Sequence, residues 1–324
     1  MPGTAAIIAN PMSGRDVRRL AARASTTTHE LKRDLVARIA TGLDAMGVDE
    51  ILVMREPYRI SEGALERLPM RARVRVLDVG LTHGPADTLA AVRAAREAGC
   101  AAMVSLGGDG TNRLIASAWP EVPLVPLSTG TNNVFPVMVE ATSAGLAAGL
   151  VASGRLAPQE AGARCKLVHV GAGHWHDLGV IDAVLLRDDH TGNLLPFDPS
   201  RLAALVLTRA EPASVGMSPI GGFLRPVGFA DDLGLVVELG AGRPLRAPIS
   251  PGLFGEVQVS RWQALALGEP VVFTGPGVVA FDGDRLRDLA AGEQATVCVR
   301  RDGPWVIDVA ASLRLAAQRG LLPG

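Results

Sequence analysis

Lysine is almost absent from this chain: of 32 basic residues among 324, only Lys32 and Lys166 are lysines. Neither sits in a glycine loop, which excludes a Walker-type P-loop with its phosphate-binding lysine. Cysteine is nearly as scarce. Cys100, Cys165 and Cys298 lie far apart, form no metal-ligand spacing, and read as small buried hydrophobes in a reducing compartment. Charge of one sign is lacking too: a net charge of −1 leaves no footprint for nucleic acid. No run approaches the roughly 20 apolar residues of a membrane span. No basic amphipathic stretch suits a membrane surface, and the first residues lack the pattern of a secretory signal. A cytoplasmic protein is expected, without nucleic-acid or membrane partners, and a homo-oligomeric assembly is left open.

What is present is apolar and alternating. At 48% hydrophobic the chain can bury a sizeable core, and its length suits two domains. The most informative stretch runs from Ala101 to Ile115. A buried-strand run is followed by Gly107-Gly108-Asp109-Gly110-Thr111, and a helical pattern starts directly after it. Glycines in such a turn permit φ > 0 and bring backbone N–H groups close to a ligand. A helix N-terminus there is a ready anion site. A carboxylate in that place repels phosphate unless it holds a metal ion or takes a proton from the attacking group, so Asp109 points to phosphoryl transfer. The plain alternative is a tight turn in which Asp109 caps the helix.

Earlier, Thr4 to Ala9 reads as a strand that turns out through Asn10-Pro11-Met12-Ser13-Gly14-Arg15, with Asn10 and Ser13 at its carboxyl end. Glu30 to Met46 places Leu31, Leu35, Ile39, Leu43 and Met46 on one helical face. Asp87 is expected to cap a helix that Gly99 stops, and His83 to be solvated. A further strand, Val122 to Leu127, runs into Ser128-Thr129-Gly130-Thr131-Asn132-Asn133, a row of small hydrogen-bonding residues. Beyond Gly154, short strand-like runs broken by proline and glycine suggest an antiparallel β domain. Gly173-His174-Trp175-His176-Asp177 reads as a hairpin tip rather than a metal site. Asp282-Gly283 is a hairpin-turn signal. The division expected is an α/β domain over 1–158, a β-rich domain over 159–305, and a terminal strand and helix over 306–324.

Gly107 to Thr111 matches the GGDGT signature of the ATP-NAD kinase and diacylglycerol kinase-like superfamily. Asn10 to Gly14 resembles the NPxSG opening of its lipid-kinase branch, and Ser128 to Asn133 its P-x-GTGND segment. With the Phe281-Asp282-Gly283 element, the opening and the Ser128 to Pro136 loop most resemble the X-type branch named for acetoin catabolism. The resemblance implies an open parallel α/β sheet domain followed by a mostly antiparallel β domain. It implies that the glycine loop contacts ATP phosphates and that Asp109 helps deprotonate the acceptor. Two segments depart from the NAD-kinase pattern. Ile181-Asp182 stands for an Asn-Glu pair, and Ala213-Ser214-Val215 for a run containing threonine and tyrosine, so NAD does not carry over as substrate.

The expected function is an ATP- and Mg²⁺-dependent kinase acting on NAD or, in preference, another small hydroxyl compound. Asn10, Ser13, Gly107, Gly108, Gly110, Thr111, Asn112, Thr129, Gly130, Thr131 and Asn132 would line the triphosphate. Asp109 would be catalytic, Asp182 and Ser218 would touch the acceptor, and Asp282 would be an acid near the site. Mg²⁺ would bridge phosphate oxygens without a dedicated protein metal site. The rival is a nucleotide-binding regulatory or accessory protein that kept the fold and lost turnover.

Overall fold

The structure is a computed structural model that describes residues 3–15, 23–24, 26–131 and 133–322. The first half alternates strand and helix: β1 (Thr4–Ala9), α1 (His29–Ala45), β2 (Glu50–Met54), α2 (Ile60–Leu65), β3 (Arg73–Leu77), α3 (Pro85–Glu97), β4 (Ala102–Gly107), α4 (Asp109–Ala118), β5 (Pro123–Ser128) and α5 (Ala141–Ala152). A short α6 (Pro158–Ala161) and β6 (Gly162–Arg164) follow. β1 and β4 are buried along their whole length, as strands covered on both faces must be.

The second half is almost all strand: β7 (Leu167–Ala172), β8 (Trp175–Gly179), β9 (Asp182–Leu186), β10 (Leu202–Leu207), a one-turn α7 (Ser218–Gly222), β11 (Leu233–Ser250), β12 (Leu253–Ala266), β13 (Val271–Thr274), β14 (Gly277–Phe281), β15 (Asp284–Leu289) and β16 (Gln294–Arg300). Two of the short runs read in the sequence are parts of one long hairpin, β11 with β12, whose register breaks around Leu239 to Arg243. The chain then returns through β17 (Trp305–Ile307) and α8 (Val309–Gln318).

Three sheets result. The first has the order β3-β2-β1-β4-β5-β17-β6, with β17 parallel to β5 and antiparallel to β6. Its strand order reverses between β1 and β4, and open parallel sheets bind ligands outside the carboxyl ends of the strands at such a point. The other two sheets, β12-β11-β10-β9-β14-β15 and β13-β16-β7-β8, are antiparallel and pack face to face. Val168, Val170, Val297 and Val299 of the smaller meet Ala183, Leu185, Val279 and Phe281 of the larger. The alternate residues of β9, Val184 and Leu186, face a separate core with Ile220 of α7 and Ile249 of β11.

Two local expectations are corrected. The buried stripe of α1 runs through Lys32, Val36, Ile39 and Leu43, while Leu31 is 44% exposed. A lysine therefore takes a core position where the apolar pattern put a leucine. Asp87 is not the N-cap of α3, which is Gly84. It sits inside the first turn, where its carboxylate accepts from Thr82 N (2.7 Å), Thr82 Oγ1 (2.6 Å) and His83 N (2.9 Å), fixing the loop before the helix. The hairpin tip falls at Gly173-His174, with Trp175 to Asp177 already in β8, and Asp282-Gly283 turns β14 into β15 with φ of 48° and 93°.

Candidate active site

At the carboxyl end of β1 the chain makes a compact loop. The Asn10 amide reaches across to Thr111 (Nδ2 to Oγ1, 2.8 Å), and its Oδ1 accepts from Met12 N (2.8 Å). Ser13 Oγ is 2.7 Å from Thr129 Oγ1, joining this loop to the one after β5. Gly14 has φ of +68°, and a Cβ there would lie 2.4 Å from Thr129 O, so only glycine fits. Beneath the loop, the fully buried Lys32 donates from Nζ to the carbonyl oxygens of Asn10, Pro11 and Ser13, each at 2.8 Å. Burial pushes its pKa down to about 8, which leaves it charged at neutral pH. Lys166, the other lysine, is equally buried and donates to the carbonyls of Gly228 and Leu233. Sequence reading passed over both. Their rarity was the signal, because surface positions carry arginine and the compact ammonium is kept for pockets of carbonyls.

The glycine loop works through close approach rather than unusual dihedrals. Gly107, Gly108 and Gly110 do not have positive φ, against expectation, and neither does Gly130. A Cβ on Gly107 would lie 2.5 Å from Thr111 Cβ, one on Gly108 2.8 Å from Asn133 Oδ1, and one on Gly130 2.8 Å from Gly108 Cα. These glycines let the Thr111 and Asn133 side chains and the backbones of the two loops pack against one another. Asn112 is turned away from the cleft. Its Nδ2 donates to Gly108 O (2.9 Å) and its Oδ1 accepts from Ser105 Oγ (2.7 Å), so it shapes the loop rather than touching a ligand.

Asp109 opens α4 without capping it. Its carboxylate accepts from Val134 N (3.1 Å) and Phe135 N (2.9 Å), holding the loop after β5. Burial, reinforced by the charge of Asp282, pushes its pKa up to about 7. Asp282 is held in the same way by Val180 N and Ile181 N, each at 2.8 Å, and burial raises its pKa to about 6. Its own N–H donates to Asp182 Oδ1 (3.1 Å). Three acids from both halves of the chain thus converge. Arg209, sandwiched near Phe135 and Phe229, donates to Val134 O (3.1 Å) and props the same loop.

Two cavities meet at these acids. The larger, about 560 Å³, is lined by Asn10, Ser13, Gly108, Gly110, Thr111, Gly130 and Thr131, and by the cationic or titratable Arg15, His83 and Arg113. Gly107, Asn112 and Thr129 are not in its lining, and Asn132 lies outside the described residues. Arg113 is 3.3 Å from Asp177 and 3.6 Å from Asp284. His83 is exposed, as expected, and also borders this cavity, with φ of 60°. The smaller cavity, about 60 Å³, includes Asp182 but not Ser218. Ser218 is fully buried, donating to Arg209 O and accepting from Glu211 N, so it does not reach the acceptor side as expected. Asp109 and Asp282 line both cavities. Among the described residues no cluster of three or more His, Cys, Asp or Glu could hold a metal ion. No helix among them is long and apolar enough to cross a membrane.

A Rossmann-type switch point carrying a glycine loop, joined to a two-sheet β unit that supplies a second acid, defines the ATP-NAD kinase-like class. Residues 6–156 match the ATP-NAD kinase N-terminal domain, and residues 166–302 match the acetoin catabolism protein X C-terminal domain. Acetoin catabolism protein X of Cupriavidus necator is 37% identical over 336 residues, spanning 98% of this chain and 93% of that protein. The chain belongs to the acetoin catabolism protein X family. Two solved structures of a protein provisionally described as a diacylglycerol kinase, from Bacillus anthracis, align with TM-scores of 0.43 and 0.40 at 12% identity. They cover 94% and 92% of this chain, and 99% and 98% of their own.

Proposed function

We propose that this protein is an ATP-dependent kinase that phosphorylates a small hydroxyl compound other than NAD. The observation that carries the reading is the position of Asp109, in the wall of both the large cavity and the small one. The large cavity offers glycine-loop amides, hydroxyls and Arg113 to a triphosphate, and the apolar Met54, Pro57 and Leu114 to a base. The acceptor would sit in the small cavity, its hydroxyl toward Asp109. Its proton passes to the Asp109 carboxylate, its oxygen bonds to the γ-phosphorus, and the bond to the bridging oxygen breaks to release ADP. A base poised near pH 7 is well matched to that transfer. Mg²⁺ bound with ATP supplies charge neutralisation. Asp282, in the wall of both cavities, would be the acid open to that ion.

A second reading, a nucleotide-binding accessory protein without turnover, is favoured by one feature. Backbone N–H groups of Val134 and Phe135 already engage the Asp109 carboxylate. ADP release from the purified protein with ATP, Mg²⁺ and a panel of hydroxylated acceptors decides between the two. Acceptor-dependent release supports the kinase, and ATP binding with no release for any acceptor supports the accessory role.

A further inference from the structure

The loops that follow β1, β4 and β5 meet at the larger cavity, and one buried side chain stands behind their junction. Lys32, on the inward face of α1 and 0% exposed, donates from Nζ to the carbonyl oxygens of Asn10, Pro11 and Ser13, each at 2.8 Å. An ammonium has three N–H donors, and all are used here. None remains for a ligand, so Lys32 acts on the site through the loop.

The path from Lys32 to the other two loops can be followed bond by bond. A peptide group is planar and trans, so a carbonyl drawn toward Lys32 turns the next N–H the opposite way. The Pro11 carbonyl thereby aims the N–H of Met12, which donates to Asn10 Oδ1 (2.8 Å). That bond orients the Asn10 amide, whose Nδ2 donates to Thr111 Oγ1 (2.8 Å) in the first turn of α4. Ser13, whose carbonyl is the third acceptor, donates from Oγ to Asn10 O (3.0 Å) and lies 2.7 Å from Thr129 Oγ1 after β5.

We infer that Lys32 is the positioning residue of the nucleotide site: its ammonium draws the Asn10 to Ser13 loop against the other two loops and so sets the affinity for the nucleotide phosphates. This rests on the reading of the larger cavity as the nucleotide site. A guanidinium spreads its donors over a plane and cannot converge on three oxygens around one nitrogen, which accounts for a lysine in an arginine-rich chain. Loss of the proton leaves an amine two donors for three carbonyls, with a lone pair against one of them. The charged groups around Lys32 come from three segments. Arg15 of the β1 loop opposes its charge, and Glu56, after β2, favours it. Glu56 is acted on in turn by Glu62 of α2. On α1 itself, His29 is held below its usual pKa, and Arg33 is turned to Tyr58 O (3.0 Å). Burial is the largest influence and lowers the Lys32 pKa to about 8. The clasp is therefore closed at pH 7 and loosens as pH rises through that value.

The test uses the whole chain with Mg²⁺ and ADP. Lys32 and Lys166 are the only lysines, so protein carrying ¹³C at lysine Cε gives two signals, each reporting one ammonium. Lys166→Arg assigns them. ADP should raise the pKa of the Lys32 signal and leave that of Lys166, which lines neither cavity. Calorimetric affinity for ADP should fall as pH rises through the Lys32 pKa. Lys32→Met should weaken ADP binding at least about tenfold, the worth of one hydrogen bond to a charged group. Lys32→Ala should regain affinity in propylammonium, the fragment that it lacks. Where a variant fails to fold, the wild-type signals and pH series decide by themselves. An unmoved Lys32 pKa with pH-independent affinity, or wild-type affinity in folded Lys32→Met, overturns the inference and leaves the nucleotide site standing. A wild-type protein that binds neither ADP nor ATP overturns the nucleotide reading, and this inference with it.

Discussion

Asp109 and Asp282 are mirror-like partners from opposite halves of the chain. Each carboxylate is clamped by successive backbone N–H groups, Val134 and Phe135 for one and Val180, Ile181 and Asp182 for the other, and both line the two cavities. Such clamps fix a carboxylate without neutralising it. The pair therefore brings two mutually repelling acids into a buried place, offset only in part by the charges of Arg209 and Arg113, and both pKa values rise.

That charge sets opposite pH trends for stability and for activity. The Asp109 pKa, pushed up to about 7, means that the folded protein keeps a proton between about pH 4 and pH 7 that the unfolded chain has lost. Stability should fall as pH rises through this window, and kcat/KM should rise through it as the base ionises. Asp282→Asn removes the neighbouring charge, which should move the activity limb to lower pH and flatten the stability slope. Urea unfolding and pH–rate profiles check both, and an activity limb near pH 4 in the wild type would count against Asp109 as the base.

Asp109→Asn should lower kcat by about 10²–10⁴ while folding and ATP affinity hold. The amide oxygen still accepts from Phe135 N, so the loop stays in place. Wild-type kcat in this variant removes the catalytic role.

Gly108→Val should abolish ATP binding in a folded protein, for want of room rather than because of backbone strain. Even a Cβ at this position would lie 2.8 Å from Asn133 Oδ1, and valine adds two more carbons at the point where the loops touch. Calorimetry with ATP reads the result, and unchanged affinity would place the phosphates elsewhere.

NAD should be a poor acceptor, with kcat/KM below about 10⁴ M⁻¹s⁻¹. Ile181 is buried in the core and Val215 lines the small cavity, so neither offers a side-chain hydrogen bond to a dinucleotide. Arg209 is already committed to Val134 O and to two aromatic rings, and cannot take over those contacts. Steady-state NADP formation measures it.

Much of the architecture was legible in the chain because each half keeps one period. Apolar strand runs such as Thr4 to Ala9 and a glycine stop such as Gly99 mark the alternating half, and Asp282-Gly283 marks a hairpin in the other. Most of the loop residues singled out in the sequence do line the larger cavity, because they follow the carboxyl ends of β1, β4 and β5. What stayed hidden depends on distance along the chain. Nothing local shows that Lys32 serves carbonyls some twenty positions earlier, that Asp282 meets Asp109, or that Ser218 spends its hydroxyl on Arg209 and Glu211. The loop glycines were misread because a glycine needed for contact and one needed for positive φ look the same in a sequence.

The burial of both lysines leaves the protein with an unusual chemical surface. Its only side-chain amines, Lys32 and Lys166, are at most 2% exposed and hydrogen-bonded to carbonyls. Acylating reagents that decorate most proteins at once should react with these two only when their surroundings open. Lys32 lies directly under the Asn10 to Ser13 loop, so its labelling rate is a clock for that loop's opening. A nucleotide that seals the loop should slow this clock, while Lys166, which lines neither cavity, keeps its own time.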